Sequence, residues 1–295
     1  MTRAESTRFA PSPSGRLHLG HALAAITAHD LAQRSGGRFL LRIEDIDTAR
    51  CRAEFEAGIL EDLAWLGLAW DGAPLRQSGE MPRYRAALAG LAARGLTYPC
   101  FCTRGDIAAE LARMPSAPQG AEGPRYPGTC RQLGAAERSR RVEAGEPHAL
   151  RLDIGACLDA LGGMPLAFEE TGRGPGGECG SIRVEPGASG DIVLARKDLG
   201  VSYHLAVVLD DHAQGVTLVT RGEDLFGATH VQRLLQAVLG LDVPRYHHHR
   251  LVCDASGRRL AKRDRDATLA ALREAGVTPA AIRARLGLAA GAHRG

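Results

Sequence analysis

His18 and His21 flank a glycine, Gly20, directly after a turn-prone run that holds Pro11, Pro13 and Gly15. A chain that breaks there and then enters a helix presents unpaired backbone N–H groups and the positive end of the helix dipole, which suits a phosphate. Both imidazoles stand where they could donate to it, and Gly20, lacking a Cβ, would let a flat base approach the backbone. Taken alone, H-x-x-H describes two surface residues at a helix start equally well. A second group is Cys100, Cys102, Tyr126 and Cys130, three thiols and a phenol within a short proline-rich stretch. Soft thiolates in tetrahedral geometry select zinc, and a small insertion with little core gains folding free energy from such an ion. A bare C-x-C is equally compatible with ordinary buried thiols, the reading given to Cys51, Cys157, Cys179 and Cys253.

These residues need elements to hold them. Residues 7–10 read as a strand stopped by Pro11 and Pro13, because proline lacks a ladder donor and forces its predecessor out of helical space. A helix is expected over about 20–34, with Leu23, Ile26 and Leu31 as its apolar stripe and Gly36-Gly37 as its stop. "RFLLRIED", 38–45, reads as a buried strand with a charged tip, which completes a βαβ unit. Helices are expected over about 52–66 and 82–94. Prolines at 115, 118, 124 and 127 mark a separate insertion, and the glycine-rich stretches 170–181 and 185–191 read as loops between short strands. The α/β pattern resumes with "DIVLARKD", "YHLAVVLDD" and "VTLVTRGED", a helix over about 228–239 and a last strand, "HRLVCD". The histidines 247–249 precede that strand and are expected to be structural or nucleotide-adjacent. Two short helices close the chain, the second with Thr278 as N-cap and Pro279 as its first residue.

Composition bounds the function classes. The 295 residues, 44% hydrophobic and 24% charged, are those of an ordinary globular chain of one large or two modest domains, and no apolar run reaches the length of a membrane span. No membrane partner is expected. The first residues lack an apolar export segment, so a cytoplasmic location is expected and the seven cysteines read as thiols or ligands. A net charge of +3 permits an acidic partner without implying one.

Several motifs together carry a family resemblance. "PSPSGRLHLGH" resembles the HIGH signature of the class I aminoacyl-tRNA synthetases, with Leu19 in its second place, and "RFAPSPSG" resembles the glutamate-type subfamily. "LRIEDID" and "TRGEDL" match that subfamily in order and spacing, and "RRLAKR" is similar to its KMSKS loop, with Leu260 for Met, Ala261 for the first Ser and Lys262 retained. The resemblance spans residues 7–262. It implies an α/β class I synthetase fold: a Rossmann-like parallel sheet, an inserted small zinc-containing subdomain and a short helical C-terminal extension. The expected division is 1–98 and 191–254 for the two halves of the catalytic domain, 99–190 for the insertion, and 255–295 for the KMSKS-like loop and tail.

The resemblance also implies roles. His18, Gly20, His21 and Lys262 would bind ATP, accompanied by magnesium, with the two histidines and the lysine stabilising charge on the α-phosphate as a carboxylate attacks it. Arg8 and Arg221 would hold the side-chain carboxylate of glutamate, Glu44 its α-ammonium, and Ser12 and Tyr203 would add neutral hydrogen bonds. Cys100, Cys102, Tyr126 and Cys130 match the zinc site of the glutamyl-queuosine tRNA(Asp) synthetases, with His148 a less favoured ligand. That family's short architecture is also expected from the short tail after Lys262, and Val207 stands where tRNA-charging relatives carry asparagine. A monomer that moves glutamate to queuosine of tRNA(Asp) is therefore expected. A minimal glutamyl-tRNA synthetase, a glutamate ligase with another acceptor and a silent RNA-binding relative stay open, although intact Arg8, Glu44, Tyr203, Arg221 and Lys262 run against silence.

Overall fold

The computed structural model describes residues 3–113, 119–120, 123–198, 200–252 and 268–288. Its first third is the expected βαβ unit and its continuation: β1 (Ser6–Phe9), α1 (Leu19–Ser35), β2 (Arg38–Ile43), α2 (Ala53–Trp65), β3 (Leu75–Arg76) and α3 (Met81–Ala93). α1 stops where Gly36 turns left-handed, at φ 68°, and its N–H closes on the carbonyls of Ala32 and Gln33. β2 is buried along all but its first residue, as a strand covered by helices on both faces must be. β1, β2 and β3 pair in parallel in that order.

The middle of the chain carries β4 (Thr97–Cys100), α4 (Arg104–Arg113), β5 (Gln119–Gly120), β6 (Gly123–Pro124), α5 (Ala135–Glu143), β7 (Ala149–Leu152) and α6 (Ile154–Ala160). It continues with β8 (Ala167–Glu170), β9 (Gly180–Arg183) and β10 (Val193–Ala195). β4, β7 and β10 form an antiparallel sheet with β7 in the centre. The last part is α7 (Tyr203–Ala213), β11 (Leu218–Gly222), α8 (Phe226–Leu239), β12 (Arg245–His249), α9 (Leu269–Glu274) and α10 (Pro279–Arg285). β11, β12 and β8 run parallel and β9 returns antiparallel at the edge. Strand pairing thus crosses the expected division at 190/191: β8 and β9 join the β12 sheet, and β10 joins β7 and β4.

β1 stands beside β11, since the Thr217 N–H donates to the Ser6 carbonyl at 2.9 Å and the Ser6 N–H to Thr217 Oγ1 at 2.9 Å. The chain leaves β1 toward β2 on one side and resumes at β11 on the other. Ligands of open parallel sheets bind at such a reversal, in the crevice beyond the carboxyl ends of the strands. One apolar layer packs α1 and α2 with α9 and α10 through Ile26, Leu63, Leu269 and Ile282, and the opposite layer packs α3, α7 and α8 through Leu88, Leu205 and Leu235.

One expectation is corrected. The last strand is Arg245–His249, so His247, His248 and His249 lie inside it, while 250–252 carry no strand and 253–254 lie outside the described residues. The strand alternates, with Tyr246 and His248 buried, so pairing with β11 sets its position rather than the apolar pair Leu251-Val252.

Candidate active site

A cavity of about 550 Å³ opens at this reversal, beyond the ends of β1, β2 and β11. Arg8, Ser12, His18, Gly20, His21, Glu44, Tyr203 and Arg221 all line it. Those are the expected nucleotide and amino-acid contacts, brought to one place from four parts of the chain. Lys262 lies outside the described residues, but Val252 lines the cavity and Thr268 bridges to His18, so the described residues on either side of segment 253–267 both stand at the site.

The two histidines build the entrance of α1. His18 is its N-cap: His18 Nδ1 accepts the Gly20 N–H at 3.0 Å, and His21 Nδ1 accepts the His18 N–H at 3.2 Å. Each Nδ1 is therefore an acceptor, which puts the proton of each neutral ring on Nε2. The rings sit 3.9 Å apart between centroids. A Cβ on Gly20 would fall 2.9 Å from His18 Cε1, so this glycine makes room for the capping ring itself. The outcome is two N–H donors at the positive end of a seventeen-residue helix.

The other end of the cavity is cationic. Arg221, 6% exposed, donates from Nε to His248 Nε2 at 3.2 Å, from Nη1 to Gln232 Oε1 at 2.7 Å and Tyr203 Oη at 3.4 Å, and from Nη2 to Thr229 Oγ1 at 2.6 Å. Every one of those partners is neutral when His248 is. Among the described residues no carboxylate stands within ion-pair distance of Arg221, so its charge is available to an anionic ligand. Arg8 is different: its Nε donates to Asp211 Oδ1 at 2.9 Å and its Nη1 to the Thr220 carbonyl at 2.9 Å.

Asp211 is shared with Arg42, which is fully buried and donates to it at 2.7 Å. Burial alone would raise the Asp211 carboxyl, but the two guanidinium groups outweigh it and hold it below the ordinary carboxylate range. Glu44, at the end of β2, lies 3.5 Å from Arg42 and is pushed above the ordinary range by burial, only partly opposed by Arg42 and Arg8. An ammonium group arriving beside Glu44 would restore its charge. The sequence assigned no role to Arg42, Asp211 or Glu170, and marked His248 only as one of three structural or nucleotide-adjacent histidines. The i, i+2 spacing of Arg42 and Glu44 puts them on one face of β2 and was the available signal. Val207, by contrast, is buried in the apolar layer and is not among the residues lining the cavity.

The thiols also meet. Cys100, Cys102 and Cys130 place their sulfurs within 4.8 Å of one another, with Cys102 and Cys130 3.4 Å apart. The Tyr126 hydroxyl is 3.4 Å from Cys100 Sγ and 3.6 Å from Cys102 Sγ, and accepts the Cys130 N–H at 2.8 Å. β4 ends at Cys100 and a 3₁₀ turn after Gly128 delivers Cys130. Burial pushes the Cys102 thiol up to about 11. Tetrahedral thiolates about 2.3 Å from a metal lie about 3.8 Å apart, so this group could hold one ion with little movement. His148 stands apart, its ring on Phe101 and its Nδ1 on the Glu146 carbonyl. Cys157 is buried and its thiol pushed up to about 12 by that burial. Among the described residues no helix is long and apolar enough to cross a membrane.

Residues 5–293 match the family model of class I tRNA synthetases (E and Q), catalytic domain. The glutamyl-Q tRNA(Asp) synthetase of Rhodobacter capsulatus is 54% identical over 285 residues, covering 96% of this chain and 99% of that protein. The protein of the same name from Symbiobacterium thermophilum is 45% identical, over 93% of this chain and 83% of its own length. A crystal structure of a glutamate tRNA ligase from Elizabethkingia meningosepticum in complex with its amino acid superposes with a TM-score of 0.73 at 29% identity, over 90% of this chain and 53% of that one. The chain therefore spans about half the length of that solved relative. Sequence and fold agree: this chain is an enzyme of the ligase type that belongs to the class I tRNA synthetases of the E and Q group, among the glutamyl-Q tRNA(Asp) synthetases.

Proposed function

We propose that the enzyme activates L-glutamate with ATP as glutamyl-adenylate and transfers the glutamyl group to queuosine at the wobble position of tRNA(Asp), acting as a cytoplasmic monomer. The observation that carries the first half is the buried Arg221 guanidinium, surrounded by neutral partners, in the same cavity as His18 and His21. The names of the relatives at 54% and 45% identity support the second half.

In the first step the glutamate α-carboxylate attacks the ATP α-phosphate and pyrophosphate leaves. Arg221 and Arg8 hold the side-chain carboxylate, Glu44 pairs with the α-ammonium, and Ser12 and Tyr203 complete the pocket. His18 and His21 donate to the phosphate oxygens as charge builds, Gly20 leaves the nucleotide side of the helix entrance open, and Lys262 supplies a further cation. Magnesium, when bound with ATP, offsets the phosphate charge. In the second step a hydroxyl of the queuosine ring attacks the activated carbonyl and releases AMP. Zinc held by Cys100, Cys102, Tyr126 and Cys130 would be structural, tying β4 to the turn at Cys130.

The test supplies ATP and labelled glutamate with, in separate reactions, tRNA(Asp) carrying queuosine, tRNA(Asp) lacking it, and tRNA(Glu). Label on the queuosine-containing tRNA(Asp) alone is expected. Label on the terminal ribose of tRNA(Glu) would replace this reading by ordinary tRNA charging, and no glutamate-dependent pyrophosphate exchange would leave a silent relative.

A further inference from the structure

We infer that Glu170 and His248 are positioning residues for Arg221: a buried carboxylate–imidazole relay that fixes the guanidinium while leaving its charge uncancelled for the carboxylate of an incoming amino acid. The inference rests on the glutamate reading of the cavity. The relay itself stands on geometry.

Three neighbouring parallel strands supply the three groups. Arg221 on β11 is the register partner of His248 on β12, and Tyr246 on β12 is that of Glu170 on β8. Glu170 and His248 are each 2% exposed. Glu170 Oε2 lies 2.5 Å from His248 Nδ1, while Oε1 accepts the backbone N–H groups of His248 at 2.9 Å and Gly172 at 2.7 Å. Gly172 allows this clamp, because a Cβ there would fall 2.3 Å from the His248 carbonyl oxygen and 3.0 Å from Glu170 Oε1. The imidazole is also pinned by rings, stacked 7° from parallel with Tyr246 and edge-on to Phe226 at 5.1 Å.

Donor and acceptor roles then follow without freedom. A guanidinium can only donate, so His248 Nε2 must accept from Arg221 Nε, and the imidazole proton sits on Nδ1 and is given to Glu170. The imidazole passes orientation from an anchored carboxylate to Arg221 and keeps that carboxylate out of ion-pair range. Arg8 and Arg42, which share Asp211 directly, show the alternative. Burial and the Arg221 charge hold His248 below the ordinary imidazole range against the pull of Glu170, in keeping with a neutral ring.

The substitution Glu170→Gln tests the relay. Its amide oxygen can still accept the two backbone N–H groups, but its NH₂ faces His248 Nδ1 and drives the ring proton to Nε2, where it meets the Arg221 N–H. His248→Gln, in contrast, carries one donor and one acceptor and can span both neighbours. Two readouts are used on the whole protein: the ring nitrogen shifts of His248 by ¹⁵N NMR, assigned by their loss in His248→Gln, and KM values for glutamate and ATP in pyrophosphate exchange. The relay predicts the Nδ1–H tautomer at neutral pH, a rise of about tenfold in glutamate KM for Glu170→Gln with ATP KM changed less than about twofold, and recovery to within about threefold in His248→Gln. An Nε2–H tautomer, a charged ring, or equal effects on both substrates would overturn it. Because the tautomer is read without substrate, an unaltered protein with the Nδ1–H form but no glutamate-dependent exchange would refute the glutamate reading and support the relay.

Discussion

His18 caps α1 through Nδ1 and also lines the cavity, so its two duties can be separated by substitution. His18→Asn retains a capping acceptor and should leave unfolding free energy in urea within about 0.5 kcal/mol, yet its shorter side chain cannot place a donor where the imidazole Nε2–H stood and should slow pyrophosphate exchange about a hundredfold. A loss of stability without loss of rate would make His18 a cap alone. At the opposite end, Arg221→Ala should raise the glutamate KM by about a hundredfold and leave the ATP KM nearly unchanged, and equal rises would argue against the pocket. Most of these residues were legible because they sit in two short stretches with marked chemistry, 8–21 and 41–47. Arg42 and Asp211 were not, since nothing local announces an ion pair between residues 169 apart in sequence. The Glu170–His248 pair was hidden for the same reason, and three consecutive histidines gave no hint that one alone is clamped.

Among the elements, α9 returns the chain to the first layer and is tied to α2 by Arg273, which donates to Asp62 Oδ1 at 3.0 Å. Burial pushes the Asp62 carboxyl up to about 6 from 3.8, outweighing Arg273 and Arg16. The folded state therefore holds a proton there that the unfolded chain gives up, so this group's contribution is greatest below about pH 4 and is lost as pH rises through about 6. Asp62→Asn should gain stability relative to the unaltered protein between pH 4 and about 6.5, measured by urea denaturation, whereas a constant difference across that range would contradict the assignment. Helix ends were legible from local chemistry: Gly36 closes α1, and Thr278 caps α10 by accepting the Ala281 N–H at 3.2 Å. β12 was not, because pairing with β11 outweighs the apolar signal of Leu251 and Val252.

On the scale of the whole molecule, a parallel sheet reversing at β1 and β11 carries the cavity, and a small antiparallel sheet carries the thiols at its edge. Zinc should be present at one ion per chain, and Cys102→Ser should lower that content while amide exchange quickens around β4 and Cys130 and stays slow in β1 and β11. Unchanged zinc would remove Cys102 from the ligand set. If one cavity seats both reactants of glutamate activation, a crystal structure with a non-hydrolysable glutamyl-adenylate analogue will show the analogue spanning it. The side-chain carboxylate is predicted on Arg221 and Arg8, the ammonium beside Glu44, and the phosphate mimic within hydrogen-bond reach of Nε2 of His18 and His21. A carboxylate seated away from Arg221, or an analogue bound outside the cavity, would show that the reactants do not meet there.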